Sequence, residues 1–144
     1  MIAIDTNILI YAHRSDSPSH ASASERIRVL AESGQSWAIP WPCVHEFLSV
    51  ATNPKILRPA TPMTHAIHQI EVWMESGTLS LLAEGSNYWL ALKTLITDGQ
   101  VIAAQTHDAR IAALCLQHGV SELWTADRDF SRYPDLKTRN PLIA

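Results

Sequence analysis

The stretch Met1-Ile2-Ala3-Ile4-Asp5-Thr6-Asn7-Ile8-Leu9-Ile10-Tyr11-Ala12 decides the fold class. Met1 to Ile4 is a short apolar run suited to a strand buried on both faces. Asp5-Thr6-Asn7 supplies turn and cap chemistry, and Ile8 to Ala12 reads as the first helix. Asp5 therefore falls where a strand ends and a helix begins. In a parallel sheet, that edge is where ligands gather.

The same alternation continues outward. Ser19 to Ser33 carries Ile27, Leu30 and Ala31 at helical spacing and stops at Gly34, a good residue to end a helix. Ser36 to Pro40 is a second strand. Trp41-Pro42 opens a helix that runs to Asn53-Pro54, where proline is excluded from the interior. Thr61-Pro62 opens another, with Ile67, Ile70 and Met74, ending near Gly77. Thr78 to Ala83 is the third strand and Ser86 to Asp98 a further helix. Thr106 is expected to cap a helix from His107 to His118, and Gly119 ends it. Ser121 to Thr125 gives a fourth strand and Leu136 to Thr138 a short fifth. Strands separated by helical crossovers predict an α/β sandwich with a mostly parallel sheet.

Composition bounds the function. The chain has 144 residues, 47% hydrophobic and 17% charged, the size of one compact domain that buries roughly 70% of its unfolded surface without staples. Cys43 and Cys115 sit among apolar neighbours, form no CxxC pair, and read as small core hydrophobes. The longest run without Asp, Glu, Lys or Arg spans 13 residues, Ser33 to His45, short of the ~18 to 20 apolar residues of a membrane span. The first residues lack the basic and apolar regions of a secretory signal, so the cytoplasm is the expected location.

Four acids stand at positions where a sheet edge would gather them: Asp5, Glu46, Asp108 and Asp127. Taken singly, each also fits an ordinary role: Asp5 as a cap, Glu46 as a salt-bridging helix residue, Asp108 as a first-turn acid, Asp127 as a turn acid. Together they would share one cleft and repel each other, so a cation should offset them. Oxygen ligands without a Cys or His set select Mg²⁺ or Mn²⁺ over Zn²⁺. Leaving these four out of the charge count takes −3 to +1, so the remainder is mildly basic and suits a polyanion. Arg128, Arg132, Lys137 and Arg139 follow the last acid and are candidate phosphate contacts. His65 and His68 lie at i, i+3 without further ligands, which argues against zinc. The GxSxG, P-loop and GxGxxG signatures are all missing.

The ordered pieces Ile4-Asp5-Thr6-Asn7-Ile8-Leu9, Pro40-Trp41-Pro42-Cys43-Val44-His45-Glu46-Phe47-Leu48, Asp108-Ala109-Arg110-Ile111-Ala112-Ala113-Leu114 and Thr125-Ala126-Asp127-Arg128-Asp129-Phe130 resemble those of PIN-domain ribonucleases. Within them, they resemble the VapC toxins of bacterial toxin–antitoxin pairs. The gaps between the four acids are 41, 62 and 19 residues. The resemblance implies one PIN-like domain over residues 1–144, a three-layer α/β/α sandwich with about five strands. It implies a metal-dependent endoribonuclease in which Asp5, Glu46, Asp108 and Asp127 hold one or two Mg²⁺ or Mn²⁺ ions. Thr6, Asn7, Thr125 and Asp129 would support them, Asp129 as an extra ligand. An RNA substrate, a VapB-type antitoxin and a homodimer are also implied. Two other classes compete: a non-catalytic RNA-binding or regulatory module that keeps the fold, and an acid-metal phosphatase or phosphoacceptor domain. Of Trp37, Trp41, Trp73, Trp89 and Trp124, most are expected in the core, with some free to anchor interfaces or stack on bases.

Overall fold

The computed structural model describes residues 1–143. The chain runs β1 (Ile2–Ile4), α1 (Thr6–His13), α2 (His20–Glu32), β2 (Trp37–Pro40), α3 (Trp41–Ala51), α4 (Met63–Met74), β3 (Leu79–Leu82), α5 (Tyr88–Gly99), α6 (Thr106–Gln117), β4 (Glu122–Trp124) and β5 (Thr138–Arg139). The strands form one sheet in the order β3-β2-β1-β4-β5, and every neighbouring pair is parallel.

That order follows from the connections. A parallel crossover is right-handed, so the steps β1 to β2 to β3, all toward one edge, put α1 to α4 on one face. The chain then returns past β1 to pair β4 with it, reversing direction, and the same rule puts α5 and α6 on the opposite face. The reversal makes the gap beyond the ends of β1 and β4 the topological switch point, where an open α/β sheet leaves a crevice. Register fixes what stands there: Ile4 pairs with Trp124, and the Asp5 N–H donates to the Trp124 carbonyl at 3.0 Å. Asp5 and Thr125 therefore leave the sheet side by side.

Burial of the strands explains the apolar runs. Ala3, Ile4, Trp37, Ala38, Ile39 and Leu123 are all but inaccessible, and Ile8, Leu9, Phe47 and Leu114 cover them from the helices. Trp37, Trp73 and Trp124 lie in this core, whereas Trp41 and Trp89 are exposed. Both cysteines are free and buried. Helix α5 packs on α6 and has no buried residue of its own.

Three local expectations need correction. Helix α1 begins at Thr6, with Asp5 alone as its cap, because the Asp5 side chain accepts from the very next N–H and leaves no intervening turn. Thr106 is the first residue of α6, not its cap: a 3₁₀ turn over Ala103–Gln105 leads straight into the helix, and the Thr106 hydroxyl donates back to the Ala103 carbonyl at 2.9 Å. Asp108 consequently takes the third helical position, not the second. The last strand lies at Thr138–Arg139, since Leu136 is buried beneath the preceding turn.

Candidate active site

Asp5 is held more tightly than any other acid of the crevice. Its Oδ1 accepts from the Thr6 N–H at 2.7 Å and from the Cys43 thiol at 3.6 Å. Its Oδ2 accepts from the Thr125 hydroxyl at 2.7 Å and from Asn7 Nδ2 at 3.3 Å. Burial pushes the carboxyl above its ordinary range. The bonds from Thr125, Thr6 and Cys43 oppose that shift, and the nearby Asp127 adds to it. The arrangement comes from the sequence Asp-Thr-Asn at a strand-to-helix junction, where a cap residue naturally aims its oxygens at the first helical amides.

Thr125 and Asn7 tie this carboxylate to the loop after β4. The Thr125 hydroxyl donates to Asp5 and accepts from Asn7 Nδ2 at 3.3 Å and from the Asp127 N–H at 3.0 Å. Asn7 Oδ1 accepts from the Ala126 N–H at 3.1 Å. Asp127 in turn caps a 3₁₀ turn over Arg128–Arg132, its Oδ1 accepting from the Asp129 N–H at 2.8 Å. This turn was absent from the sequence reading. It brings Asp129 back toward Asp127.

The acids meet. Asp5, Glu46, Asp108 and Asp127 line one cavity of about 230 Å³, together with Thr6, Asn7 and Tyr11. Asp108, Asp127 and Asp129 form a tighter set, one carboxylate oxygen from each lying within 4.8 Å of the others. Asp5 and Glu46 stand at the wall of the cavity, outside that triplet. Glu46 is exposed over much of its surface, yet partial burial of its carboxyl, then Asp5 and Asp108, raise its pKa, while His107 and Arg110 oppose the rise. Asp108 is pushed up to about 6 by burial and by Asp127, Asp5 and Asp129, with His107 opposing. Among the described residues no hydrogen bond reaches the carboxylate of Asp108 or Glu46. The donor set is all oxygen, crowded with like charge and short of protein donors, and the Thr6 hydroxyl beside it is buried without a partner. These features fit a hard divalent cation.

The four C-terminal cations separate. Arg132 Nη1 donates to the Gly99 carbonyl at 3.0 Å. Lys137 pairs with Glu122 at 3.3 Å, at the start of β4 and so at the end of the strand away from the carboxylates. Arg128 and Arg139 are exposed and make no ion pair among the described residues.

The profile of the PIN domain matches residues 2–136. The chain belongs to the PIN domain family. Curated relatives extend along nearly the whole of this PIN domain. It is 29% identical over 142 residues to Ribonuclease VapC43 of Mycobacterium tuberculosis, covering 99% of this chain and 96% of the relative. Ribonuclease VapC48 of the same organism is 26% identical over 138 residues, covering 95% and 94%. Among solved structures, VapBC2 from Rickettsia felis bound to a promoter DNA fragment superposes with a TM-score of 0.71 at 18% identity, covering 96% of this chain and 98% of that one. FitAcB from Neisseria gonorrhoeae gives 0.68 at 18%, covering 100% of both. These likenesses establish the same fold.

Two site features escaped the sequence reading. The sequence pattern marks Cys43 only as a core hydrophobe, yet its thiol supports Asp5; burial and the Asp5 charge push that thiol well above its ordinary pKa. Only its position three residues before Glu46 on one helix could have signalled this. The Asp108-Asp127-Asp129 triplet depends on the unforeseen 3₁₀ turn.

Proposed function

We propose that this PIN domain is an endoribonuclease and the toxin of a toxin–antitoxin pair, hydrolysing RNA phosphodiester bonds at the Asp5, Glu46, Asp108, Asp127 crevice. The convergence of these carboxylates at the switch point of the sheet carries the reading, together with family membership and relatives named ribonucleases along the full chain. Asp108, Asp127 and Asp129, with Asp5 and Glu46 beside them, would hold Mg²⁺ or Mn²⁺. Such an ion would supply acidification of a water and neutralisation of charge on the phosphate.

The chain's own part is to position and to exclude. Asp5, fixed from both oxygens, sets the back wall, and Thr125 couples it to the Asp127 loop so that both carboxylates keep one spacing. Asn7 holds that loop from α1. Cys43 is buried against Asp5 and is not poised as a nucleophile. No side chain need form a bond to the substrate. Arg128 and Arg139 are free to meet phosphates on the flank. The partner of the reading is a VapB-type antitoxin, with a toxin homodimer. Neither the described helices nor their composition supplies a membrane span, and the cytoplasm suits an enzyme that meets RNA.

The test is incubation of labelled RNA with the purified protein in Mg²⁺ or Mn²⁺, then in EDTA. Cleavage with metal that stops with chelator is expected. Retention of RNA without cleavage in either condition would instead give the non-catalytic binding module.

A further inference from the structure

Beside the acidic cavity, a second groove of about 500 Å³ opens between α3 and α6. Glu46 and Asp108 line both, so the two spaces adjoin. The rest of the groove's polar lining differs in chemistry: His45, Ser49, His107 and Arg110.

Arg110 is the unusual member. It is half-buried, and its Nε has no solvent contact and no hydrogen-bond partner. Among the described residues its guanidinium enters no ion pair, although Glu46 and Asp108 stand in the same groove. A buried donor left unmatched is costly, about 1–3 kcal/mol, and native structures rarely keep one. The two Nη groups also lack a protein partner among the described residues but, unlike Nε, are not closed off from solvent, and the parallel N–H donors along that edge match two oxygens of a phosphate. Ser49, His45 and His107 add further hydrogen-bonding groups around the same space. A strand of nucleic acid drawn across a carboxylate-lined crevice needs compensating positive charge on the flank, and single strands are held by grooves that track their backbone.

We propose that the α3–α6 groove is a phosphate subsite for the RNA strand, in which Arg110 grips a phosphate neighbouring the one cleaved over the carboxylates. The identity of the polyanion rests on the nuclease reading; the subsite itself rests on Arg110 and on the shared Glu46 and Asp108 wall of the two grooves. Arg110 acts as a positioning residue, setting which bond lies over the acids.

Binding of a fluorescent RNA oligonucleotide, followed by anisotropy in EDTA over a salt series, reads the subsite apart from catalysis. Arg110→Gln should weaken binding about tenfold, one charge-assisted contact, and make the slope of log K against log salt shallower by about 0.7, one single-strand phosphate. Arg110→Lys should keep the slope and recover only part of the affinity. A neutral methylphosphonate placed at each position in turn should weaken wild-type binding at one phosphate beside the cleaved one and leave Arg110→Gln indifferent there. With Mg²⁺, KM should rise while kcat stays within about twofold. Unchanged affinity and slope in a folded Arg110→Gln protein would overturn the proposal. So would unchanged RNA binding with weakened antitoxin binding, which would assign the groove to a protein carboxylate. Should Arg110→Gln fold poorly, the wild-type scan decides alone: no sensitive neighbouring phosphate means no subsite. Arg110-dependent binding without cleavage sinks the nuclease and keeps the subsite, whereas cleavage indifferent to Arg110 does the reverse.

Discussion

Asp5 and Asp108 line the same cavity and are built in opposite ways. Asp5 is 5% exposed and takes two donors on each oxygen, so the protein itself has fixed its position. Asp108 is half-buried, faces Asp127, Asp5, Asp129 and Glu46 and, among the described residues, receives no donor. One carboxylate is finished by folding. The other is left unbalanced, and a cation would complete it. The crevice therefore combines a rigid wall with an electrostatically strained rim, as expected where a site is pre-arranged for a charged ligand.

The largest expected effect is common to both residues. Asp5→Asn and Asp108→Asn should each lower Mg²⁺-dependent RNA cleavage about a hundredfold or more, on the order of 3 kcal/mol of barrier, measured by single-turnover cleavage. Full activity in either variant would remove that residue from the site.

Stability should separate them. An amide at position 5 turns an NH₂ toward Thr6 N–H and Cys43, or toward Thr125 and Asn7, donors in every case. Asp5→Asn should therefore cost about 1–3 kcal/mol. Asp108→Asn removes a like charge and should add about 1 kcal/mol to the metal-free protein at pH 7.5, after allowance for solvent screening. Urea denaturation of both variants in EDTA reads the difference; a stabilised Asp5→Asn would break the contrast. Thr125→Val sharpens it, since the methyl keeps the shape but deprives Asp5 and the Asp127 N–H of their common partner. A loss of about 1–2 kcal/mol with at least a tenfold drop in cleavage is expected.

The pH response follows from the Asp108 carboxyl, raised from 3.8 to about 6. Between those values the folded state holds more protons than the unfolded state. The metal-free contribution is therefore most favourable at low pH and falls as pH rises from about 4 to about 6, then levels. Metal must displace the same proton, so Mg²⁺-dependent cleavage should decline as pH drops through about 6. Asp108→Asn should flatten the stability trend; an unaltered slope in that variant would place the titration elsewhere. The smallest effect is assigned to Lys137→Ala. Paired with Glu122 at the start of β4, away from the acids, it should change RNA affinity less than about twofold, within the range of an exposed ion pair.

Much of the architecture could be read along the chain. The apolar strands, the Gly and Pro boundaries and the acids after β1 and β4 are local features, and their alternation already implied parallel pairing. The boundaries that moved did so where two short-range hydrogen-bonding options competed. Thr106 could cap or continue a turn, and the observed 3₁₀ segment took the second. Lys137 looked like one of four equivalent cations, but β5 pairing places it opposite Glu122. Arg110 lies inside the Asp108–Leu114 motif without a role legible there, because nothing in a one-dimensional pattern reveals that its Nε is buried and unmatched.

Local propensity is enough to set the chemical repertoire: oxygen donors of one charge, their order, and their placement next to strand ends and helix starts. The tertiary structure alone decided which of those oxygens crowd together, which are already satisfied by Thr125, Asn7 and Cys43, and which cation faces the groove. Such distances are set by crossovers joining residues 118 to 120 positions apart, and electrostatic energy depends on separation through space, not along the chain.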